Sequence, residues 1–193
     1  MASAATITIV AKDTAKLGKI IAELGEQMTN RNSDKYERAQ QMMAAIHDER
    51  VIPYYVALAA MPHFSPRLTS CRALGRFNND KAFDALQRLM KTTGVEIRDS
   101  ATTLELAESS ANGVRHSAIH AIADSPHPKA IPLLWNYAND RYYGVRMTIL
   151  HKAAELKTPE AQAIILKMTS DENKMVRDEA VRYQKKLAME DPR

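Results

Sequence analysis

Apolar side chains recur at three- and four-residue intervals along most of the chain, which is the spacing of helices that bury one face. Residues 145–156 carry one such stripe, and residues 160–170 carry another directly after Pro159. A proline at this point opens a helix, because the amides of the first helical turn have no intrahelical partner to lose. The pattern therefore predicts two helices joined by a short turn.

The same pair of helices repeats along the chain. Val-Arg dipeptides begin at residues 114, 145 and 176, so that neighbouring dipeptides are 31 residues apart, and Asp140 and Asp171 each lie six residues before an arginine. Alignment of the remaining segments predicts an array over residues 35–188 with an insertion at 92–112, and its units begin near residues 35, 66, 114, 145 and 176. One pair is too short to bury its own apolar face, so the pairs must stack.

Shorter segments flank and interrupt this array. Residues 1–34 combine an alternating stretch from Thr6 to Val10, which predicts a lone strand or a ragged end, with an amphipathic run from Thr14 to Met28. We expect that run to form a helix that caps the exposed core of the first unit. The insertion predicts a polar surface loop with a short helix over residues 103–109, and residues 189–193 predict a plain tail.

The repeated motif resembles a HEAT repeat. It reads Ala-Ile-Pro-Leu-Leu at residues 130–134, followed by an aspartate, five residues and an arginine, with valine before the arginine. The 31-residue period is similar to that of HEAT-like repeats of the phycobilisome-lyase type. The resemblance covers residues 35–188 and implies an all-α fold, a right-handed α-solenoid of about five HEAT-like helix pairs, to which the N-terminal capping helix is added.

HEAT repeats typically join successive units through a ladder of aspartates and arginines. By match to the motif, the resemblance implies a structural ladder whose members are Arg115, Asp140, Arg146, Asp171 and Arg177. Arg67 matches the pattern weakly, because Pro66 stands where the valine would be.

Composition and charge narrow the class of protein. Apolar residues make up 45% of the chain and charged residues 26%, which is a globular balance. A single cysteine excludes a disulfide framework and fits a reducing compartment, so we expect a cytoplasmic protein, although a chain that starts after a removed signal peptide would look the same. The net charge of +4 is small for a dedicated polyanion binder, and no apolar run is long enough to span a membrane.

Catalytic and metal-binding motifs are absent from the sequence. It contains no Gly-rich phosphate loop, no Gly-x-Ser-x-Gly elbow and no His-Glu-x-x-His pair. His116, His120 and His151 fall on one face of neighbouring predicted helices, but no fourth ligand accompanies them, so we predict no metal and no cofactor. Cys71 aligns with apolar positions and is predicted to be a buried hydrophobe. We therefore predict a protein that is not an enzyme.

The second helix of each unit presents a column of basic residues. In HEAT-like solenoids these helices line the concave face, so the resemblance implies that the column is displayed to a partner. An acidic peptide or a phosphate-bearing partner would suit it, whereas the alternative is a solvated face with cancelling charges. Two tyrosines in an inter-helix turn add a second candidate contact. The candidate partner-binding residues are Arg72, Arg76, His116, His120, His151, Arg182, Tyr142 and Tyr143.

These observations lead to three functional hypotheses. The first is a non-catalytic scaffold that binds a protein or an acidic peptide on its concave face. The second, implied by the phycobilisome-lyase resemblance, is a lyase-like or chaperone component that acts on a bilin chromophore, and a bound tetrapyrrole would colour such a protein. The third is a HEAT-like protein that binds nucleic acid, whose affinity would fall steeply with salt.

Overall fold

The computed structural model describes residues 14–29, 34–44, 46, 48–97 and 103–190. These residues form ten α-helices and two short 3₁₀ helices, Glu49–Val51 and Gly94–Ile97, and no strand, which confirms the predicted all-α class. The predicted stretch from Thr6 to Val10 lies outside the described residues. The helices are α1 (Thr14–Gln27), α2 (Lys35–Ala44), α3 (Ile52–Ala59), α4 (Phe64–Leu74), α5 (Asp80–Leu89), α6 (Leu104–Ala123), α7 (Ala130–Asn136), α8 (Tyr143–Leu156), α9 (Pro159–Met168) and α10 (Lys174–Glu190). None of the described helices is long and apolar enough to cross a membrane.

The chain divides into two compact units, Met1–His127 and Pro128–Arg193. In the first unit, α1, α3 and α5 pack side by side in one layer, while α2, α4 and α6 pack side by side in a second layer. Each odd-numbered helix also packs against the even-numbered helix that follows it. This arrangement is the stacking of helix pairs that the repeat predicts.

The N-terminal helix takes a regular place in this unit. Its predicted apolar stripe is buried at Leu17, Ile21, Leu24 and Met28, and the helix packs against α2 and α3. α1 therefore contacts α2 in the way that α3 contacts α4. It is the first helix of the first pair, and it also covers the apolar core of that pair.

The second unit contains α7 to α10. α8 packs against both α9 and α10, and α9 packs against α10, around the buried side chains of Val145, Ile149 and Val176. The start of α9 follows from its sequence, because the Thr158 hydroxyl accepts a hydrogen bond from the Ala161 amide and Pro159 occupies the first turn. The proline thus opens a helix, as its position in the repeat predicts.

The end of α8 has a strained backbone. Lys157 has a φ of 53°, in the left-handed region that an L-residue with a side chain enters at a cost. We expect Lys157→Gly to raise the free energy of unfolding by about 0.5–1 kcal/mol, because relief of this strain exceeds the extra entropy of glycine in the unfolded chain. Urea unfolding would measure the change. Ala163→Gly, inside α9, is the control, and we expect it to lower the same quantity by about 1 kcal/mol.

The insertion is partly helical. α6 runs continuously from Leu104 to Ala123, so the short helix predicted over residues 103–109 is the first part of a longer helix. Thr103 begins it, because its hydroxyl accepts a hydrogen bond from the Leu106 amide. The 3₁₀ helix Gly94–Ile97 packs against α6, and the Gly94 amide donates to a carboxylate oxygen of Glu108 at 2.9 Å.

Candidate functional site

In the second unit, a buried arginine of α8 forms hydrogen bonds to the turn that follows α7 and to the turn that follows α9. Arg146 donates from Nε and Nη2 to the two carboxylate oxygens of Asp171, each at 2.8 Å, and from Nη1 to the carbonyl of Asp140. The side chains of Arg146 and Asp171 are only 5% and 8% exposed. A bidentate pair of this kind fixes both the distance and the orientation of its partners. The structure therefore brings together three of the residues predicted for the ladder.

The ion pair changes the acidity of both groups. Burial alone would raise the pKa of Asp171, but hydrogen bonds from the Arg146 guanidinium and the Asn173 amide outweigh it, and the pKa lies below its ordinary value of 3.8. The hydrogen bond to Asp171 raises the pKa of Arg146. The pair is ionised at neutral pH, and its charges are held out of water by protein on most sides.

Other arginines repeat one part of this geometry. Arg177 donates to the carbonyl of Asp171, and Arg67 donates from Nε to the carbonyl of Met61 at 2.7 Å; in each case the acceptor lies six residues earlier, as Asp140 does for Arg146. Such bonds satisfy carbonyl groups in the turn before a second helix.

Arg67 follows the pattern more closely than its sequence suggests. It also donates from Nη1 to the Thr92 hydroxyl at 3.3 Å and to Glu96 Oε2 at 3.1 Å. Thr92 lies 25 residues after Arg67, the same interval that separates Asp171 from Arg146. Threonine therefore stands where the motif has an aspartate, and Glu96 supplies the negative charge.

Arg115 is buried in the first unit, where it donates to the carbonyl of Met90 at 3.2 Å and to Asn112 Oδ1 at 3.4 Å. Asp140, another residue predicted for the ladder, belongs to the second unit. The Asp140 carboxylate accepts a hydrogen bond from the Tyr142 amide at 2.8 Å, in the turn just before α8. The ladder role of Arg115 remains a prediction.

A depression of about 530 Å³ on the first unit collects several predicted partner-binding residues. It lies between α4 and α6, and we call it the α4–α6 depression. Its lining consists of Arg72, Gly75, Arg76, Ser117, His120, Ala121, Asp124 and Pro126. Both arginines and His120 are exposed, and the His116 ring meets the His120 ring edge-on with centroids 4.6 Å apart.

Close packing of α4 on α6 forms the floor of this depression. A Cβ atom at Gly75 would lie 2.8 Å from the Ala121 carbonyl oxygen and 2.9 Å from the Ala121 Cβ. Because real side chains essentially never approach so closely, glycine is required for the two helices to meet here. The close approach brings Arg72 of α4 and His120 of α6 into the lining of the same depression.

The column of basic residues predicted on the second helices continues in the second unit, where acidic side chains lie beside it. Arg182 pairs with Glu179 and lies over the Tyr183 ring, 5.4 Å from its centroid. His151 Nε2 is 3.9 Å from the same Glu179 carboxylate, and Lys152 is 3.1 Å from Glu155. Arg182 and Lys152 thus each have a carboxylate partner three residues away on the same helix.

The two predicted tyrosines lie side by side at the start of α8. Their ring centroids are 5.5 Å apart, and Tyr143 is exposed while Tyr142 is half-buried. This pair belongs to the second unit, and a contact role for it remains a prediction.

The histidines, the cysteine and the acidic residues were also compared with the geometry of a metal site. Nowhere in the part of the chain that the structure describes do three histidine, cysteine, aspartate or glutamate side chains lie where they could hold one metal ion. Cys71 is fully buried, as predicted, and burial raises the pKa of its thiol to about 12, so the thiolate that would act as a nucleophile is not formed at neutral pH.

His127 is a buried polar residue that repeat analysis did not single out. Its ring stacks on Phe83 with centroids 4.2 Å apart, and its Nε2 lies 3.2 Å from Asp80 Oδ1. It sits in the turn after α6, where no apolar periodicity marks it. Its contacts fasten that turn to α5, which is a structural role.

Helices that pair and stack in this way, with arginines buried against the turns between them, define a helical-repeat protein of the α-solenoid class. Residues 100–185 match the sequence model of the family described as HEAT repeats, which supports a HEAT-repeat protein. The match begins just before α6 and reaches into α10, and it covers fewer than half of the 193 residues. Comparison with curated proteins gives no match.

Proposed function

We propose that this protein is a non-catalytic scaffold that binds an acidic surface of a protein partner in the α4–α6 depression. HEAT repeats generally mediate protein–protein interaction, and HEAT-repeat proteins are typically not catalysts. The period of 31 residues supports assignment to the shorter, phycobilisome-lyase type of repeat, and the single, buried cysteine supports a cytoplasmic location.

The observation that carries the proposal is the environment of Arg72. This side chain is exposed, lines the depression and makes no hydrogen bond or ion pair with any residue that the structure describes. Arg76 and His120 lie in the same depression, where Asp124 is the one acidic residue of the lining. A cationic surface of this kind favours a partner of opposite charge, both in the rate of encounter and in the choice of partner.

The second unit supports the choice of the α4–α6 depression by contrast. Arg182 occupies the same register position on α10 as Arg72 does on α4, but Glu179 neutralises it. The hydrogen bond to Glu179 raises the pKa of Arg182, as expected for a cation that already has a partner. Of these two arginines at the same register position, Arg72 is therefore the one we propose for binding.

A capture experiment tests this proposal. Immobilised protein is incubated with a lysate of its native cells, and captured proteins are compared for the wild type and for Arg72→Glu/Arg76→Glu. We expect a partner that the double variant loses and that Arg182→Glu, the matched control, retains, because a reversed charge in a binding surface repels an acidic partner. Circular dichroism would show that both variants keep their helices.

Three results would contradict the proposal. Capture that survives the double charge reversal would place the binding surface elsewhere. Recovery of nucleic acid, with protein lost after nuclease treatment, would favour the nucleic-acid hypothesis. A coloured bound tetrapyrrole would favour the bilin hypothesis.

A further inference from the structure

We propose that one face of α10 docks a helix pair of a partner protein, and that Arg177 binds an aspartate carboxylate of that pair. We call this surface the α10 face and define it by Arg177, Val181 and Gln184, which follow one another at helical spacing along one side of the helix. The α10 face belongs to the second unit, whereas the α4–α6 depression belongs to the first. The inference therefore goes beyond the proposed function and does not depend on it.

Arg177 repeats one half of the contacts that Arg146 makes. Each arginine donates from Nη1 to the carbonyl of an aspartate six residues earlier, and Arg177 donates from the same atom to the carbonyl of Glu172 at 3.0 Å. Arg146 uses its other edge, Nε and Nη2, to hold the two carboxylate oxygens of Asp171. At Arg177, no residue that the structure describes accepts a hydrogen bond from Nε or Nη2. The edge that binds a carboxylate one repeat earlier is therefore open here, while Nη1 fixes the position of the guanidinium.

A carboxylate is the group that fits this edge. The Nε and Nη2 donors of a guanidinium lie in one plane and point the same way, so the two oxygens of one carboxylate accept from both. Arg146 already holds its acid in this way, and that acid, Asp171, lies in the turn between α9 and α10. By the same geometry, the acid that Arg177 takes lies in the turn between two helices of the partner.

The remainder of the α10 face is uncovered in a corresponding way. One repeat earlier, Val181 and Gln184 correspond to Leu150 and Ala153 of α8. Both of those residues are fully buried, and α8 packs against both helices of the pair that follows it. On α10, by contrast, Val181 is half-buried and Gln184 is exposed. The side of α10 that corresponds to a buried side of α8 is thus open to a helix pair.

A second copy of this chain is the competing occupant. Such a copy would have to offer an acid in a turn between two helices. The Asp171 carboxylate of a copy is already held by its own Arg146, and its Asp140 carboxylate already accepts from a backbone amide. Two equivalent turn positions of the first unit, Met61 and Thr92, carry no charge. These observations favour a partner protein.

Nuclear magnetic resonance of the full chain tests the inference with a defined probe. A synthetic peptide of residues 159–190, which contains α9, Asp171 and α10, represents the helix pair of the partner and is titrated against isotopically labelled protein. We expect saturable shifts of the Arg177 side-chain N–H resonances and of the Val181 amide. The Asp171→Asn peptide should bind about tenfold more weakly, because asparagine offers one acceptor oxygen and no charge.

Variants of the protein show whether the response comes from Arg177. Arg177→Met should weaken binding of the unmodified peptide by about tenfold. It should have little effect on binding of the Asp171→Asn peptide, because both changes remove the same hydrogen bonds. Arg182→Met, which alters another arginine of α10, is the matched control and should leave binding unchanged, as should Arg72→Glu/Arg76→Glu. Circular dichroism would show that each variant keeps its helices.

A covalent form of the probe covers the case in which the free peptide does not fold. Residues 160–190 are repeated directly after Glu190, so that the copied aspartate follows Arg177 by 25 residues, as Asp171 follows Arg146. Linkage raises the effective concentration of the helix pair. We expect the longer protein to unfold at a higher urea concentration than the parent. Asparagine in place of the copied aspartate should reverse part of that shift.

Each contrary result overturns a different part of the inference. Saturable binding that neither Asp171→Asn nor Arg177→Met weakens would exclude the carboxylate contact. Absence of peptide binding, together with unchanged urea unfolding of the longer protein, would show that the α10 face does not dock a helix pair. Concentration-dependent dimerisation of the wild type in sedimentation velocity, abolished by Arg177→Met, would assign the face to a second copy of this chain.

Discussion

Replacement of Arg146 by methionine is expected to lower the free energy of unfolding by about 3 kcal/mol, one of the two largest effects predicted for a single substitution in this protein. The variant keeps an unbranched apolar stem but leaves the Asp171 carboxylate, 8% exposed, without its bidentate partner. It also removes the donor to the Asp140 carbonyl. Urea unfolding followed by circular dichroism would measure the loss.

Two further variants make this prediction specific to the buried pair. Lys174→Met breaks an exposed ion pair with Asp178 and should cost at most about 0.5 kcal/mol. The double variant Arg146→Met/Asp171→Leu removes both charges, and we expect it to regain much of the stability that Arg146→Met loses. If Arg146→Met proved no more harmful than Lys174→Met, the buried arginine would not hold the turns of the second unit together.

Acid should remove the stability that the ion pair between Arg146 and Asp171 contributes. The pKa of Asp171 is lower in the folded protein than its ordinary value of 3.8, so the folded state binds the proton less readily than the unfolded chain does. The stabilisation is therefore complete above pH 3.8 and is lost as the pH falls through the folded value. The stability difference between the wild type and Arg146→Met/Asp171→Leu should stay constant from neutral pH down to about pH 5 and change only in stronger acid.

Gly75→Val is expected to lower the free energy of unfolding by about 2–3 kcal/mol, through overpacking between α4 and α6. The first added carbon would meet the Ala121 backbone oxygen at 2.8 Å, and a helix backbone cannot turn aside as a side chain can. The two helices would have to separate, so we also expect weaker binding of any ligand in the depression. Thermal or urea unfolding would measure the effect on stability.

Gly113→Ala is the matched control for this substitution. Its new Cβ would lie 3.1 Å from the ring edge of Phe64, a side chain that can shift, and the site is inside α6, where alanine is favoured over glycine by about 1 kcal/mol. We expect a neutral or stabilising effect. Equal stability of Gly75→Val and the wild type would show that α4 and α6 do not pack as closely as described.

The helices were predictable from the sequence because each buries one face, and burial imposes a period on the apolar residues. The same reasoning identified Arg146 and Asp171, since the repeat places them at a constant interval. It gave Arg67 only a weak match to the ladder pattern. In the structure, the hydroxyl of Thr92 and the carboxylate of Glu96 together accept the hydrogen bonds that an aspartate accepts elsewhere in the repeat. Periodicity reports which positions face the core, but not which polar groups meet there.

Ion pairs between side chains of one helix were the main feature of the candidate site that the repeat pattern did not predict. Comparison of positions one repeat apart placed Arg72 and Arg182 in one basic column. Glu179, three residues before Arg182, lies outside that column, yet it neutralises the arginine. At the corresponding place before Arg72 the chain has Thr69, which is buried and donates toward the Met28 sulfur. The two arginines therefore differ in charge environment although they share a register position.

The central claim is that a protein partner binds in the α4–α6 depression, and site-specific photo-crosslinking tests it most directly. A photoreactive amino acid is placed at Ser117 in the lining of the depression and, in a second protein, at the exposed Gln184 of α10. Each protein is irradiated in a native-cell lysate, and adducts are identified by mass spectrometry. The account predicts a discrete protein adduct at position 117 that Arg72→Glu/Arg76→Glu abolishes and that position 184 lacks. An adduct at position 184 alone, or one at position 117 that survives the charge reversal, would contradict it.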